Sequence, residues 1–383
     1  MRMIFHLPLD LEHSKKISGV SGSYLRPLKM HKAFEDLGYI VDTVWGRASE
    51  RKKQIDKIKQ NVRRGIKYDF IYSESSTMPT LLTEPSHLPI SPHIDFGFFQ
   101  WANKMGIPIG LFYRDIHWRF EHYKRQTSWY KRFIAIPFYY LDLKLYHIFI
   151  DCLFLPDTSM LDILPVSWSK GNVYALPPGG DLATTEIKKQ EIYRKDNPLQ
   201  LIYVGGIMPP VYDLSIVLKG LKRFRPEQCQ LTICCREKEW NKNKTQYNLP
   251  PKNQIVHIVH KDGEALRKLY INSDIALLLF KPFPYWDFAL PLKLFEAISY
   301  GVPVLASYGT AIGNFVDREG IGWVINSKLE SFERWLNFVL EHPEEIEKKR
   351  QVVKERALYH TWQERARTVA KILSRLNHKQ DVL

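Results

Sequence analysis

The chain has 383 residues, of which 45% are hydrophobic and 25% are charged, and its formal net charge is +14 at pH 7. This composition is ordinary for a globular protein and excludes the collagenous, disordered and coiled-coil classes. The length exceeds what one hydrophobic core usually supports and therefore predicts two domains. The excess of positive charge indicates an anionic partner: a nucleic acid, an anionic membrane or a phosphorylated substrate.

The cysteines favour a reducing compartment. They lack CxxC spacing and are too sparse for a disulfide-stapled domain; they are Cys152, Cys229, Cys234 and Cys235. The adjacent pair at 234 and 235 lies in an apolar run and is predicted to be buried in a strand. No signal peptide is expected, because Pro8 and Asp10 interrupt the first apolar run. Residues 133–156 carry too many charges for a membrane span, so the sequence predicts a soluble, cytoplasmic protein.

Strand-like and helix-like segments alternate through the first half of the chain. A helix is predicted at residues 24–37, where apolar side chains recur along one face. Strands are predicted at residues 3–7, 39–44, 68–72, 107–113, 148–155 and 172–176. This alternation is typical of βαβ units around a parallel sheet.

A turn-rich stretch at residues 177–181, followed by polar residues to Pro198, marks the predicted domain boundary. The second half repeats the pattern of the first. Helices are predicted at residues 214–224, 264–271, 292–300 and from 329 onward, and strands at 199–205, 231–235, 255–259, 275–280, 303–306 and 322–325. Two consecutive Rossmann-like domains are therefore predicted, at residues 1–182 and 198–355.

Neither half carries a standard nucleotide-binding glycine motif. The G-x-G-x-x-G fingerprint that opens a helix is absent, and residues 18–22 and 204–206 are rich in glycine but wrongly spaced. The lysine motif of a P-loop is absent as well. Dehydrogenases and P-loop enzymes are therefore excluded.

Residues 289–324 form the most specific segment of the chain. Lys293 and Glu296 are three residues apart on a predicted helix, so both lie on one face. A carboxylate near the start of a helix can accept hydrogen bonds from ribose hydroxyls, and the lysine can reach a diphosphate. The loop at residues 307–310 can present backbone N–H groups to phosphate. The alternative interpretation is an ordinary ion pair on the surface of an amphipathic helix.

This segment resembles the nucleotide-sugar site of GT-B glycosyltransferases, especially family 4. The shared pattern P-x-K-x-x-E-A-x-x-x-G-x-P-V-x-A-S is carried here by Pro291, Lys293, Glu296, Ala297, Gly301, Pro303, Val304, Ala306 and Ser307. The resemblance implies an α/β fold of two Rossmann-like domains facing across a cleft, with a final helix at residues 356–383 that returns to the N-terminal domain. It also implies a donor site made of Lys293, Glu296, Gly205, Gly206, Arg236, His260, Lys281, Asp287, Ser307, Gly309 and Thr310.

The resemblance is looser in the rest of the chain. Residues 201–206 look like the strand that opens the donor domain of the family, and residues 255–280 look like the segments that flank the nucleobase. Gly19, Gly22 and Arg26 resemble the N-terminal glycine loop, which implies a role at the acceptor site or in the cleft.

Two departures from the family leave the stereochemistry of the reaction open. Retaining members usually carry E-x7-E, but the first of these positions is Phe288 here, with Asp287 beside it. The basic residues that often follow the donor-domain glycines are also missing. Lys281 and Arg236 are the candidates to replace them at the diphosphate.

An inverting enzyme needs a general base from the N-terminal domain. The best candidates are Asp115 and His117, which follow the predicted strand at 107–113 and so lie near the carboxyl edge of the sheet. Asp95 and Glu74 are weaker candidates. A lone aspartate after a strand is commonly a helix cap or turn residue, and in a retaining enzyme these side chains would bind sugar or acceptor instead.

No metal ion and no cofactor are predicted. His257 and His260 are three apart on a predicted strand and therefore point to opposite faces, and no cluster of cysteines or carboxylates completes a site. The resemblance implies that the leaving diphosphate is neutralised by basic side chains and helix N-termini, with the nucleotide sugar as co-substrate.

Two segments, residues 47–67 and 119–146, concentrate the positive charge. The second interleaves cationic with aromatic side chains, which is typical of a helix that lies on an anionic membrane. The alternative is a solvated basic helix beside an aromatic core helix. No nucleic-acid-binding motif accompanies the charge, so nucleic acid is not expected as a partner.

The sequence and the resemblance together predict a metal-independent glycosyltransferase with a UDP-, GDP- or dTDP-linked sugar as donor. Its expected acceptor is a glycan, lipid-linked, in bacterial surface polysaccharide synthesis, and its expected place is the inner face of the cell membrane. Two alternatives remain open: a GT-B-fold nucleotide-sugar epimerase, and a non-catalytic GT-B-like subunit of a polysaccharide-assembly complex.

Overall fold

The computed structural model describes residues 1–13, 22–89, 91–182, 197–247 and 255–380. The chain divides into two compact units. The first consists of Met1–Pro178 together with Trp362–Leu383, and the second is Gly179–Thr361. Gly19, a candidate for the N-terminal glycine loop, lies outside the described residues.

The first unit is built on a parallel sheet. Its strands are β1 (Arg2–Leu7), β2 (Ile40–Trp45), β3 (Ile71–Glu74), β4 (Ile109–Phe112), β5 (Cys152–Leu155) and β6 (Val173–Ala175). Among the described residues they form one six-stranded sheet in the order β2–β1–β3–β4–β5–β6. The strand order reverses between β1 and β3, where Ile4 pairs with Ile71. In open α/β sheets such a reversal opens a crevice at the carboxyl ends of the strands.

Helices cover both faces of this sheet. They are α1 (Gly22–Asp36), α2 (Ala48–Arg63), α3 (Ile94–Lys104), α4 (Glu121–Gln126), α5 (Trp129–Phe149) and, from the end of the chain, α13 (Trp362–Gln380). Contacts link α2 to α3 and α3 to α5, whereas α13 contacts α1 and β4. Right-handed crossovers account for this division, because the chain moves one way from β1 to β2 and the other way from β2 to β5.

A glycine in β4 lets the last helix approach the sheet closely. A Cβ atom at Gly110 would lie 2.7 Å from Cε2 of Phe154 and 2.9 Å from Cδ1 of Leu373. Leu373 belongs to α13 and is fully buried. The contact explains why the final helix packs on the first unit although the second unit precedes it in the sequence.

The strand predicted at residues 148–155 is shorter than expected. Helix α5 continues to Phe149, and β5 begins only at Cys152. The apolar residues before Cys152 are therefore part of a helix, and Ile148 lies on its solvent side. A short apolar run does not distinguish a strand from a helix by periodicity alone.

The second unit has the same architecture. Its strands are β7 (Leu199–Val204), β8 (Cys229–Cys234), β9 (Val256–Val259), β10 (Ile275–Leu278), β11 (Val304–Ser307) and β12 (Gly322–Ile325). In the part of the unit that the structure describes they form a six-stranded parallel sheet in the order β12–β11–β10–β7–β8–β9. The strand order reverses between β7 and β10. Two parallel sheets flanked by helices confirm the predicted α/β class.

The helices of the second unit lie between these strands and after them. They are α6 (Ser215–Leu221), α7 (Glu237–Tyr247), α8 (Gly263–Ile271), α9 (Leu292–Ser299), α10 (Ala311–Glu319), α11 (Leu329–Glu341) and α12 (Pro343–Ala357). Cys234 and Cys235 are buried free thiols at the end of β8, as the sequence predicts. Burial raises the pKa of the Cys235 thiol to about 12. Among the described helices none is long and apolar enough to cross a bilayer.

Candidate functional site

Lys293 and Glu296 lie one turn apart on α9, at the carboxyl edge of the second sheet. The helix begins after Pro291, and its apolar residues Leu294 and Phe295 are fully buried. Only 8% of Lys293 is exposed. Lys293 is therefore part of the interior of the unit, and Glu296 is half-buried, so the two do not form an ordinary ion pair on the surface.

The amine of Lys293 is surrounded by aromatic rings. Its Nζ lies 4.5 Å from the ring centroid of Tyr203, 4.5 Å from that of Tyr212 and 4.9 Å from that of Phe280. It also donates a hydrogen bond of 3.0 Å to the hydroxyl of Tyr203. We call these three residues the aromatic cage. Among the described residues no carboxylate forms an ion pair with Lys293.

Burial lowers the pKa of Lys293 to about 7, although the charges of Glu296 and Glu239 act in the opposite direction. The rings of the aromatic cage attract a cation through their quadrupoles but carry no negative charge. The site therefore holds an amine whose positive charge is only partly compensated by the protein. Such a group is suited to an anionic ligand.

The aromatic cage forms where the strand order reverses. Tyr203 lies near the end of β7, and Phe280 follows the end of β10, the neighbouring strand. Phe280 stacks on Trp286 with the ring centroids 4.6 Å apart, and the indole N–H of Trp286 donates to the Val211 carbonyl at 3.0 Å. Val211 precedes Tyr212, so this bond ties the loop that carries Tyr212 to the loop after β10.

Glu296 is held by a tyrosine from α8. The hydroxyl of Tyr270 donates to Oε2 of Glu296 at 3.3 Å. Burial raises the pKa of Glu296, while the Tyr270 hydrogen bond and Lys293 lower it and Asp181 raises it further. Asp181 directly follows Gly180 in a turn. A Cβ atom at Gly180 would lie 2.7 Å from the Phe295 carbonyl oxygen. The missing side chain at residue 180 lets this turn pack against α9.

The two glycines after β7 lie against the Lys293 amine and the Tyr212 ring. Gly205 has a φ of +129°, and a Cβ atom there would lie 2.7 Å from Nζ of Lys293. A Cβ atom at Gly206 would lie 3.0 Å from the Tyr212 ring and 3.2 Å from Oε1 of Glu239. Any side chain at residue 205 would therefore collide with the lysine.

Ser307 and Thr310 use their hydroxyls inside the protein. Oγ of Ser307 accepts a hydrogen bond from the Phe280 N–H and donates to the Phe280 carbonyl, both at 2.7 Å. Oγ1 of Thr310 accepts from the Gly313 N–H at 3.0 Å and so caps α10. Between them Gly309 is exposed with a φ of +74°. This loop offers a ligand its backbone rather than its hydroxyl groups.

The other donor-site candidates lie nearer the surface. Nζ of Lys281 is 2.7 Å from Oδ2 of Asp213, so this lysine is already paired with a carboxylate. Arg236 is exposed, and Nδ1 of the exposed His260 lies 2.7 Å from the Cys235 carbonyl oxygen.

Phe288 is buried, and its ring packs against Tyr285 at 5.4 Å. The position that the resemblance associates with a retaining glutamate is therefore part of the apolar core. Asp287, next to it, lies at the surface, where partial burial raises its pKa. The side chains at 287 and 288 point to different environments, so Asp287 does not replace a glutamate at residue 288 directly.

Asp115 and His117 lie in the segment that follows β4 in the first unit. Oδ1 of Asp115 accepts a hydrogen bond from the His117 backbone N–H at 2.9 Å, and Nδ1 of His117 lies 3.8 Å from Oδ2 of Asp115. The imidazole meets the ring of Tyr139 edge to face at 6.1 Å. Both side chains are partly exposed. The structure brings these two candidates together.

A buried charge cluster lies at the carboxyl end of β3. Oε1 of Glu74 is 3.3 Å from Nε of Arg26, and Oε2 accepts from Nη2 of Arg114 at 2.9 Å. The Tyr72 hydroxyl also donates to Oε1 at 2.9 Å. Arg114 reaches the carbonyl oxygen of Gly22 at 3.1 Å. Arg26, a candidate of the N-terminal loop, thus contacts Glu74 directly, whereas the candidate Gly22 is joined to Glu74 through Arg114. The sequence does not single out Arg114.

Asp95 is not available to a substrate. It is buried, with Oδ1 2.9 Å from both His6 and Arg51. Burial raises its pKa, but the hydrogen bonds from these two partners hold the pKa of Asp95 below its usual range. In the described part of the chain no group of three or more His, Cys, Asp or Glu side chains could hold a metal ion.

A protein family and several solved structures are similar to this chain. Residues 215–371 match a family model described as glycosyl transferase-like. No curated protein sequence matches the chain. Solved structures resemble it over nearly its whole length at low identity.

Sucrose-phosphate synthase from Thermosynechococcus elongatus is 14% identical with a TM-score of 0.64, over 98% of this chain and 99% of that one. HepE from Anabaena, solved in complex with UDP-glucose, is 14% identical with a TM-score of 0.63, again over 98% and 99%. WaaG, a glycosyltransferase involved in lipopolysaccharide biosynthesis, is 13% identical with a TM-score of 0.58, over 97% and 99%. The chain therefore has the GT-B fold that the sequence predicts.

Proposed function

We propose that this protein is a glycosyltransferase that moves one sugar from a nucleotide diphosphate sugar to a glycan acceptor. One observation carries the proposal: the buried Lys293 amine, free of any ion pair in the described residues, lies one turn from Glu296 where the strand order of the second sheet reverses. Ligands of open α/β sheets bind at such a reversal, outside the carboxyl ends of the strands.

In this proposal Lys293 binds the diphosphate and stabilises the charge that develops on the leaving group. Glu296, oriented by Tyr270, accepts hydrogen bonds from the two ribose hydroxyls. Gly205 and Gly206 leave room for the diphosphate beside the lysine. The backbone at Gly309 supplies N–H groups to phosphate. No bound metal is required, because the charge is balanced by the lysine and backbone dipoles.

The proposed donor nucleotide is UDP. HepE, a structure of the same fold, holds UDP-glucose, and this makes UDP-sugars the first donors to test before GDP- and dTDP-sugars. Arg236 and His260 follow β8 and β9, the strands on one side of β7. Their place at that sheet edge supports a role around the nucleobase.

A reaction that inverts the anomeric configuration needs a base to take the proton of the acceptor hydroxyl. We propose Asp115 for this role, with His117 as the second candidate. Asp115 is partly exposed, and its Oδ1 accepts a hydrogen bond from the His117 N–H. Phe288 provides no carboxylate on the donor side, which supports an inverting reaction over a retaining one.

The proposed acceptor is lipid-linked, and the proposed site of action is the inner face of the cell membrane. Helix α5 supports this part. Its inner side chains Leu143 and Tyr146 are buried, whereas Trp129 is 73% exposed and Phe133 is 77% exposed. Exposed cationic side chains accompany these rings; Lys131 and Lys144 lie on α5 itself, and Lys124 and Arg125 lie on the preceding helix α4. Exposed aromatic and cationic side chains on one helix fit an anionic lipid surface.

Nucleotide release from a panel of UDP-, GDP- and dTDP-sugars, with and without lipid-linked glycan acceptors, tests the proposal. We expect release that depends on an acceptor. Glu296→Ala should reduce kcat/KM about 100-fold or more, since two charge-assisted hydrogen bonds of about 1.5–3 kcal/mol each are lost. Glu264→Ala, on the exposed face of α8, is the matched control and should leave the rate unchanged.

Other outcomes identify the alternatives. Conversion of the donor to an epimer without an acceptor would indicate a nucleotide-sugar epimerase. Donor binding without turnover on any acceptor would indicate a non-catalytic subunit. If Glu296→Ala had normal activity, the assignment of the donor site would be wrong.

A further inference from the structure

The positive charge of Lys293 is held by rings rather than by carboxylates. The nearest acidic groups are Glu296 on the same helix and Glu239 on α7, and both act on the lysine at longer range than an ion pair. Oε1 of Glu239 accepts the Ile207 N–H at 2.8 Å, and Oε2 of Glu296 accepts the Tyr270 hydroxyl. Both carboxylates are thus bonded to other partners.

The Tyr203 hydroxyl of the aromatic cage stays neutral. Burial raises the pKa of the Tyr203 hydroxyl well above its ordinary value. This hydroxyl donates to the carbonyl of Gly206 and accepts from Nζ of Lys293. Because its proton is engaged with Gly206, Tyr203 presents a lone pair to the lysine in either protonation state. The Tyr203 hydroxyl therefore does not supply the negative charge that a buried ammonium lacks.

We propose that the aromatic cage of Tyr203, Tyr212 and Phe280 makes Lys293 a proton-coupled ligand group, which takes up one proton when the diphosphate of a nucleotide sugar binds. The neutral amine, one proton from solvent and the dianionic diphosphate diester combine to give an ammonium–diphosphate pair. The three aromatic residues are positioning residues: they keep the amine in place and keep carboxylates away from it. The inference rests on the proposed function, since it specifies how the donor site works.

The burial that lowers the pKa of Lys293 to about 7 supports this coupling. Above that pH the free protein holds a growing fraction of neutral lysine, so binding must be accompanied by protonation. Linkage then requires the dissociation constant of the ligand to rise about tenfold per pH unit above the midpoint. Below the midpoint the lysine is already charged, and affinity no longer depends on it.

Isothermal titration calorimetry of the full chain with UDP-glucose tests the proposal. The probe is a diphosphate diester, so its phosphates do not titrate near neutral pH. Titrations at pH 8 in buffers of different ionisation enthalpy should show an uptake approaching one proton per UDP-glucose bound, and titrations at pH 6 should show almost none. Binding at pH 8 with no proton uptake would overturn the inference.

Substitutions at residue 293 test whether Lys293 is the group that takes up the proton. Lys293→Arg keeps a positive charge at every pH used, so this variant should bind UDP-glucose without proton uptake and without the tenfold loss per pH unit. If Lys293→Arg still took up a proton at pH 8, the proton would belong to another group and the inference would be wrong.

Substitutions at residue 212 test the cage. Tyr212→Leu removes a ring that stabilises the cation, so the midpoint of the affinity–pH profile should move to lower pH. Tyr212→Phe keeps the ring and is the matched control, with the midpoint unchanged. A merely structural role would weaken binding equally at all pH values and leave both midpoints in place, which would contradict the positioning role.

Failure of the inference and failure of the proposed function give different results. If UDP-glucose and the other nucleotide sugars do not bind at all, the donor-site assignment fails. If UDP-glucose binds, and Glu296→Ala weakens the binding, but no proton follows Lys293, only the proton coupling fails.

Discussion

At the scale of single residues, the donor-site candidate Lys293 is a buried group that lowers the free energy of unfolding. A buried ammonium without an ion pair is unfavourable, and the aromatic cage compensates this only in part. Proteins commonly carry such local costs at functional positions. Because burial of Lys293 makes the free energy of unfolding depend on pH, its effect can be measured without a ligand.

We expect Lys293→Met to stabilise the folded protein at pH 6. Burial lowers the pKa of Lys293 to about 7; below this pH both the folded and the unfolded chain carry the proton, and the full cost of burying the charge applies. Between about pH 7 and the ordinary lysine range of about 10 the unfolded chain binds more protons, so wild-type stability from this group rises with pH. Methionine does not titrate, so Lys293→Met removes this pH-dependent contribution to the free energy of unfolding.

The gain from Lys293→Met should therefore be on the order of a few kcal/mol at pH 6 and should shrink as the pH rises towards 10. Urea unfolding of both proteins between pH 6 and 9 measures it. Lys268→Met, which removes an exposed lysine on α8, is the control and should show no such trend. A gain that does not depend on pH would mean that the lysine keeps its proton in both the folded and the unfolded state over this range, which would contradict the lowered pKa of Lys293.

Some residues of the candidate site can be predicted from the sequence and others cannot. Lys293 and Glu296 are three residues apart, so their proximity follows from helical geometry. Tyr203, Tyr212 and Phe280 come from separate segments, and an aromatic residue at the end of an apolar strand looks like an ordinary core residue. Glu74 was a weaker candidate and Arg114 was not singled out, because only the sheet brings the two together.

At the scale of elements, α5 has two different faces. Tyr139, Leu143 and Tyr146 pack inward, and the Asp142 carboxylate accepts the Thr80 N–H at 2.7 Å. The opposite face carries Trp129, Phe133 and other apolar side chains in solvent. The sequence alone left open whether this helix belongs to the core or to a membrane surface, since both uses need aromatic residues. The structure shows that its aromatic residues divide between the interior and the surface.

If this exposed face binds membrane, Phe133→Ser and Ile148→Ser should each weaken binding to anionic vesicles about five- to tenfold. Each change removes an exposed apolar side chain, and burial of such a side chain contributes about 1–2 kcal/mol. Vesicle co-sedimentation at low salt, with phosphatidylglycerol in phosphatidylcholine, measures the effect.

Leu358→Ser is the matched control, because Leu358 is also well exposed but follows α12 in the second unit. Its affinity for vesicles should equal that of the wild type. Equal losses in all three variants, or no binding of the wild type, would contradict a membrane-binding role for α5.

At the scale of the whole molecule, the chain returns to its first unit at the end. Helix α13 contacts α1 and β4, and Gly110 lets Leu373 lie directly against the sheet. The order of elements in the sequence therefore differs from the order in which they form compact units. The stability of the first unit should depend on residues that follow the second.

We expect Leu373→Ala to destabilise the first unit by about 2–5 kcal/mol, the usual cost of a large-to-small change at a fully buried site. Amide hydrogen exchange should become faster in β1–β6 and stay unchanged in β7–β12. Leu336→Ala, at a fully buried position of α11 in the second unit, should give the reverse pattern. Equal acceleration in both units after either change would show that the units unfold together.

The sequence by itself determined the α/β class, the two successive sheets and the placement of Lys293 one helical turn from Glu296. These features depend on local periodicity and on spacings of three or four residues, which the backbone geometry of strands and helices fixes. It also identified Phe288 as the departure from a retaining pattern.

Only the tertiary structure decided which groups surround Lys293, how Glu74 is clamped between two arginines and where α13 packs. The ends of β7 and β10 are adjacent in the sheet although about 70 residues separate them in the chain. That adjacency is set by the strand order, and strand order follows from the burial of whole sheets and the handedness of their connections rather than from any local pattern. The aromatic cage, and with it the chemistry of the lysine, exists only at that level.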